Sequence, residues 1–203
     1  MSPVRIRIPT GFPSAPVCTV IFLVICFAVP PVCFAGQLIQ SDVSYAEGVY
    51  LIDVTMDIGG DIDKAREILL DYGQTPRYNQ NIIKAELLDI TDSGMKIGRV
   101  EIRDCLLLLC RNLVQIQEME KLSSGNIRIH VIPDKSDYRT ADYLWRFIPQ
   151  ANGMTRLLIN AVIAPKVRVP PLIGPIMVAR KLKLRMVDVV NRLERLSQPD
   201  QTQ

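Results

Sequence analysis

The length, composition and charge of the chain indicate one globular domain and make nucleic acid a poor partner. Its 203 residues are 48% hydrophobic and 22% charged, which is ordinary for a single folded domain. Beyond residue 35 the chain holds 22 basic and 21 acidic side chains, because Arg5 and Arg7 are the only charged residues before that point. The resulting net charge of +1 lacks the strong basic excess of nucleic-acid-binding domains.

Residues 1–35 have the pattern of a secretory signal peptide. Two arginines and no acidic residue precede an apolar run of 13 residues, Val17–Val29, and small residues follow it up to Ala35. We expect cleavage between Ala35 and Gly36 and export to the periplasm. An uncleaved anchor is the alternative, although 13 residues fall short of the ~20 that span a bilayer.

The first folded elements are predicted to be a strand and two short helices. Residues 36–48 are polar and are expected to form a lead-in without regular structure. Val49–Ile58 alternates apolar and polar residues, which indicates a half-buried strand. Asp61 is a suitable N-cap for a helix that ends at Gly73, and Pro76–Asn81 suits a second helical turn.

Six further strands are expected before the end of the chain, as turn residues separate runs of alternating or apolar residues. Their predicted spans are Ile82–Ile90, Met95–Asp104, Arg111–Gly125, Asn126–Ile132, Tyr138–Pro149 and Met154–Ala164. In the last two strands one face is apolar and should point inward. Its residues are Ala141, Tyr143, Trp145 and Phe147, and Leu157, Ile159, Ala161 and Ile163.

A long amphipathic helix is predicted over Pro170–Leu196. Leu182, Met186, Val189, Leu193 and Leu196 recur at helical spacing, and the apolar stripe is wide enough to need a broad apolar partner. We expect the helix to lie on the concave face of a curved antiparallel sheet, either filling the core or forming one wall of a ligand cavity. Its basic residues form a solvated face or attract anionic lipid headgroups. The domain should span 49–197, followed by a frayed tail at 198–203.

The residues that usually carry catalysis or bind metal are scarce. His130 is the only histidine, so a histidine-rich metal site is excluded, and the alternation of its strand points it away from the cavity. No phosphate-binding glycine loop and no metal-spaced Cys/His cluster occurs. The sequence therefore nominates no catalytic residue, no metal ligand and no cofactor, although it does not exclude a pair of carboxylates that meets in a pocket.

Cys105 and Cys110 allow two interpretations. On one straight strand, residues five apart point to opposite faces and cannot pair; at the tip of a hairpin they face each other across four leucines. Export favours the disulfide, because such bonds persist in the periplasm. Leu106, Leu107, Leu108 and Leu109 would then form an apolar tip that packs under a neighbouring element, contacts a membrane or guards a pocket mouth.

The order of elements resembles a known superfamily. The resemblance rests on the strand YLIDVTMDI, the helix and turn DIDKAREILLDYGQTPRYNQNI, the strand pair YLWRFIPQANGMTRLLINAVIAP and the closing helix. Together they resemble the START-like, or SRPBCC, superfamily, whose helix-grip fold occurs in polyketide cyclases and coenzyme Q-binding START-type domains. The resemblance implies an α+β domain with seven antiparallel strands and a deep apolar cavity under the last helix.

The expected function is binding or transport of an apolar ligand such as a lipid, a quinone or a hopanoid-like molecule. The aromatic and aliphatic faces that must meet suggest the cavity lining, which is Tyr143, Trp145, Phe147, Leu157, Ile159, Met186 and Val190. An enzyme that uses the same cavity, of the cyclase, aromatase or hydrolase type, is the alternative. A third is an envelope protein with a filled core that docks to a partner. Ionisable groups with perturbed pKa values inside the cavity would favour the enzyme.

Overall fold

The structure is a computed structural model that describes residues 36–106, 109–151, 153–167 and 174–198. The expected signal peptide at 1–35, the leucines at 107 and 108 and the tail from 199 onward lie outside the described residues. The side chains of Leu106 and Leu109 are likewise outside the description.

A single antiparallel sheet of eight strands forms the body of the domain. Its strand order is β1-β2-β8-β7-β6-β5-β4-β3, so that β1 and β3 are the edges. The strands are β1 Gln37–Ala46, β2 Val49–Ile58, β3 Ile82–Ile90, β4 Lys96–Leu106, β5 Leu109–Lys121, β6 Ile127–Val131, β7 Tyr138–Pro149 and β8 Thr155–Pro165.

Strand β1 corrects the expectation of seven strands and an irregular lead-in. Gln37–Ala46 pairs with β2 along its whole length, and Ser41 is its one buried residue. An edge strand exposed on both faces shows no apolar alternation, which is why the sequence pattern missed it. Glu47 and Gly48 connect β1 to β2 and both have positive φ, as a two-residue hairpin turn of type I′ requires.

In the described part of the chain, three α-helices accompany the sheet: α1 Ile62–Leu70, α2 Thr75–Tyr78 and α3 Gly174–Ser197. Asp61 caps α1 as predicted, accepting hydrogen bonds from the backbone N–H of Asp63 and Lys64 at 2.8 and 3.1 Å. The predicted helix is shorter than expected, because it ends at Leu70 and a 3-10 turn follows. No helix in the described ranges is long and apolar enough to cross a membrane.

Helix α3 packs against the concave face of the sheet through the predicted stripe. Leu182, Met186, Val189 and Leu193 are buried, and Leu196 is half-buried against the same core. At the C-terminal end of α3, the buried Glu194 carboxylate accepts hydrogen bonds from the backbone N–H of Gly36 and Gly59, each at 2.7 Å. These bonds tie the helix to the open end of the β1–β2 hairpin, where β1 begins and β2 ends.

The cysteines lie on a hairpin, which decides between the two interpretations. Strand β4 continues to Leu106 and β5 begins at Leu109, so both strands are longer than predicted at this end. Cys105 is directly opposite Cys110 in the β4–β5 register, and a disulfide joins the two residues.

Candidate functional site

A cavity of about 300 Å³ lies between the concave face of the sheet and α3. Strands β2 to β8 contribute its floor, while α1, α2 and α3 close it from the other side. Most of the wall is apolar, because inward-facing positions of the strands carry aliphatic residues. These include Val100, Ile102, Leu113, Ile129 and Ile163, and α3 adds Leu182 and Val189.

Three of the seven predicted lining residues lie on this wall. Tyr143 and Trp145 reach it from β7, and Met186 reaches it from α3. Both aromatic residues share the inward face of β7 with Ala141, as the alternation predicted.

The other four predicted residues belong to the packed core and do not line the cavity. Leu157, Ile159 and Val190 have no exposed surface, and Phe147 lies 5.0 Å from the guanidinium of Arg66 on α1. They point inward, but at the end of the sheet where α1 and the C-terminal half of α3 pack directly on the strands. An inward direction is therefore necessary for lining the cavity but does not suffice.

Sequence reasoning missed several polar lining residues. Gln115 and Gln117 alternate with Leu113 and Met119 on the inward face of β5, and all four are buried. Period-two alternation would have found the two glutamines, because polar residues at inward positions of a strand are unusual. The sequence pattern predicts Asp104 only as the end of a strand, whereas the structure places it in the cavity lining.

Charged side chains collect at one end of the cavity. Asp104 and Arg111 occupy directly opposite positions on β4 and β5, so they share a face, and Lys181 and Arg185 approach them from α3. Lys181 Nζ contacts Asp104 Oδ1 and the carbonyl oxygen of Cys105, and Arg185 Nη2 donates to the same Oδ1 at 3.1 Å. No ion pair or side-chain hydrogen bond joins Arg111 to another described residue.

The Asp104 carboxylate stays ionised in this cluster. Burial acts to raise its pKa, but the charge of Arg185 and the hydrogen bond and charge of Lys181 outweigh burial and hold the pKa below its usual range. Asp104 is therefore a fixed counter-charge at neutral pH, and it neutralises only one of three cations.

The tyrosines of the cavity wall stay protonated. Burial, followed by the neighbouring Tyr45, raises the pKa of Tyr50 to about 12. Burial likewise raises the pKa values of Tyr78, Tyr138 and Tyr143. Phenols with raised pKa values offer hydrogen bonds at neutral pH, but they are poor bases.

Four buried polar atoms of wall residues have no hydrogen-bond partner among the described residues. They are Tyr50 Oη, Gln115 Nε2, Trp145 Nε1 and Arg185 Nε. The Gln115 amide acts to lower the pKa of Tyr143, although its Nε2 makes no hydrogen bond of normal geometry. Leaving a buried donor unsatisfied costs ~1–3 kcal/mol, so these atoms favour a ligand that can accept hydrogen bonds.

His130 is remote from the cavity. It is exposed on the outer face of β6, where its Nδ1 contacts Asp142 Oδ1. In the described part of the chain, no group of three or more His, Cys, Asp or Glu side chains is arranged to hold a metal ion.

Solved structures share this fold at low sequence identity. The Zhui aromatase/cyclase from Streptomyces sp. R1128 has a TM-score of 0.60 at 12% identity, over 73% of this chain and 93% of that one. A START superfamily protein from Mycobacterium smegmatis has a TM-score of 0.58 at 15% identity, over 72% and 98% of the two chains. A STAR-related lipid transfer protein from Xanthomonas axonopodis has a TM-score of 0.57 at 15% identity, over 78% and 99%.

The chain therefore has the α+β helix-grip fold of the START-like superfamily, as the order of its elements predicted, with eight strands in place of seven. No protein-family model matches the chain, and no curated protein matches it. At such low identities the similarity concerns the fold, and the chemistry of the cavity must be argued from its own side chains.

Proposed function

We propose that the protein is a periplasmic carrier that binds an apolar ligand, such as a lipid or a quinone, between the sheet and α3. The observation that carries this proposal is the cavity of about 300 Å³ with a mostly aliphatic and aromatic wall. Ligand pockets are typically ~300–1,000 Å³, so this one has room for a small or single-chain molecule. Two proteins with the same fold carry names that match the two alternatives, a STAR-related lipid transfer protein and an aromatase/cyclase.

Binding is favoured over catalysis by the direction of the pKa shifts. Ionisable groups with perturbed pKa values do converge in the cavity, which is the feature expected of an enzyme. A general acid or base works best when its pKa is near the working pH. The pKa of Asp104 is instead shifted down and those of the four wall tyrosines are shifted up, away from neutrality in both cases.

A docking protein with a filled core is the least favoured alternative, because its core would not leave a cavity of this size. Mass spectrometry of organic extracts from protein purified out of the periplasm tests the carrier proposal. We expect one apolar species in amounts close to that of the protein. Recovery of the protein from the cytoplasm, or clean extracts from material that also fails to bind added lipid, would contradict it.

Peripheral membrane contact through the β4–β5 hairpin is part of the same proposal. Its support is the position of the hairpin, since Cys105 lines the cavity and Cys110 is exposed. Leucines beyond the disulfide would gain ~1.5–3 kcal/mol each on burial in a bilayer. In liposome flotation, Leu107→Asp and Leu108→Asp should reduce binding, while Leu88→Asp on the exposed edge strand β3 should not. Equal flotation of all variants would contradict membrane contact and favour packing of these leucines in the protein core.

A further inference from the structure

The charged end of the cavity has more positive than negative charge. Three cations, Arg111, Lys181 and Arg185, line it together with the single carboxylate of Asp104. Lys181 and Arg185 share one oxygen of that carboxylate, and Arg111 has no ionic partner among the described residues. Arg111 is exposed and remains solvated, but the largely buried Arg185 shares its only carboxylate with Lys181, so an apolar ligand alone would leave positive charge next to a low-dielectric cavity, which is unfavourable.

Arg185 is the most buried member of this cluster. Its side chain is 9% exposed, whereas those of Lys181 and Asp104 are 34% and 32% exposed. One edge of its guanidinium binds Asp104 and its Nε has no partner in the described ranges. A guanidinium matches planar carboxylate and phosphate groups through paired hydrogen bonds. The buried Nε is therefore a donor that an anionic ligand group can satisfy.

The opposite end of the cavity has a different character. Trp145 lies seven residues further along β7 than Tyr138, about 23 Å at ~3.3 Å per residue. The Tyr138 end is the charged end, because the adjacent Asp137 is hydrogen-bonded in both directions to Val114, three residues from Arg111 on β5, whereas Trp145 pairs with Ile127 among core residues. The site is thus elongated, with charge at the solvent-accessible end and apolar side chains at the closed end.

We propose that the ligand is a single-chain amphiphile whose carboxylate or phosphate head binds Arg111, Lys181 and Arg185 and whose chain extends toward Trp145. This assignment rests on the proposed carrier function, because it names the class of ligand for the same cavity. The free volume of about 300 Å³ favours one chain over the two chains of a phospholipid.

Three twelve-carbon amphiphiles with the same chain test the head group. Dodecanoate, dodecyl phosphate and dodecanol, all below their micellar concentrations, compete with the neutral dye N-phenyl-1-naphthylamine for the purified protein. We expect the two anions to displace the dye at concentrations about tenfold lower than dodecanol, as hydrogen bonds to charged groups are strong. Of the two anions, the one that displaces the dye at the lower concentration shows whether the head group of the ligand is a carboxylate or a phosphate.

Matched variants locate the effect. Arg185→Met and Lys181→Met should remove most of the preference for the two anions over dodecanol, whereas Lys183→Met, at an exposed position of the same helix, should keep the preference of the parent. Asp104→Asn should strengthen anion binding by releasing both cations. Equal displacement by all three amphiphiles overturns the head-group assignment and leaves the carrier function standing. A parent protein that does not bind the dye overturns both.

A second inference rests on Glu194, far from the charged end. Its carboxylate is buried, with 3% of the residue exposed, and it contacts the backbone N–H groups of Gly36 and Gly59 but no cation in the described part of the chain. A buried carboxylate without a positive partner is costly. A Cβ atom on Gly36 would lie 2.6 Å from Glu194 Oε2 and 3.0 Å from the Asp57 carbonyl oxygen, so glycine alone fits there.

We propose that cleavage before Gly36 supplies the missing cation. The new α-ammonium group would occupy the position of the Gly36 nitrogen, 2.7 Å from Glu194 Oε2, and replace the hydrogen bond from an uncharged N–H donor by an ion pair. Removal of the leader would then stabilise the fold that remains.

The exported protein allows a direct test. Its intact mass should correspond to a chain that begins at Gly36, and the α-amine of Gly36 should resist acetylation at neutral pH. Glu194→Gln should make the amine reactive, while Glu67→Gln, an exposed change on α1, should not. A different N terminus, or equal reactivity in parent and Glu194→Gln proteins, overturns this inference.

Discussion

At the scale of single residues, Trp145 and Phe147 show the difference between a residue that lines the cavity and one that fills the core. Both are buried on the same face of β7, at 4% and 5% exposure, but only Trp145 lines the cavity. Trp145→Ala and Phe147→Ala should each lower the free energy of unfolding by about 3–5 kcal/mol. Only Trp145→Ala should also weaken binding of N-phenyl-1-naphthylamine in titrations of folded protein. Unchanged dye affinity in Trp145→Ala would show that the ring does not form part of the binding wall.

Asp104 should link stability to pH through its lowered pKa. A carboxyl whose pKa is depressed by folding contributes stability above its unfolded pKa of ~3.9 and loses that contribution as the pH falls through the folded pKa. Asp104→Asn should therefore be less stable than the parent by about 1–3 kcal/mol at pH 7, with the gap closing below pH ~4. Chemical denaturation across this range measures it.

Asp188→Asn provides the comparison for Asp104→Asn. Asp188 pairs with Arg192 one turn away on the surface of α3, and such a pair contributes only ~0.3–0.5 kcal/mol. If the loss of stability in Asp104→Asn is equally small, or if it remains below pH ~4, Asp104 does not act as a fixed counter-charge.

At the scale of elements, the disulfide holds the end of the β4–β5 hairpin beside α3. Its ring is short, so loop-closure entropy predicts a contribution of only about 2 kcal/mol. The double variant Cys105→Ser and Cys110→Ser should therefore fold, with a free energy of unfolding lower by about that amount. Thiol titration of periplasmic protein should find no free cysteine. A variant that fails to fold would assign the bond a larger structural role.

The sequence predicted those elements whose pattern reflects burial on one side. Strand β2 alternates because its inward residues face α3, and the stripe of α3 follows the 3.6-residue period for the same reason. Strand β1 was missed because a nearly fully exposed edge strand has no such pattern. The hairpin interpretation of the cysteines was correct because a disulfide needs opposed positions, which only a turn between them provides.

At the scale of the whole molecule, the structure divides the residues predicted for the site between the cavity wall and the core. Tyr143, Trp145 and Met186 lie on the cavity wall, whereas Leu157, Ile159 and Val190 fill the core. Inward direction follows from periodicity within one element. Packing between elements distant in the chain decides how closely helices α1 and α3 approach the sheet. The same packing brings Asp104 and Arg185 together, so neither feature follows from the periodicity of one element.

The cavity between the sheet and α3 should bind an apolar molecule. Dye titration of three proteins tests it: the parent, Met186→Trp, which places a larger ring in the cavity, and Leu184→Trp, which adds the same ring on the exposed face of α3. We expect saturable binding of N-phenyl-1-naphthylamine to the parent and to Leu184→Trp, and a loss of at least about tenfold in affinity for a folded Met186→Trp. A parent protein that does not bind the dye, or a folded Met186→Trp variant that binds it equally well, would contradict the account.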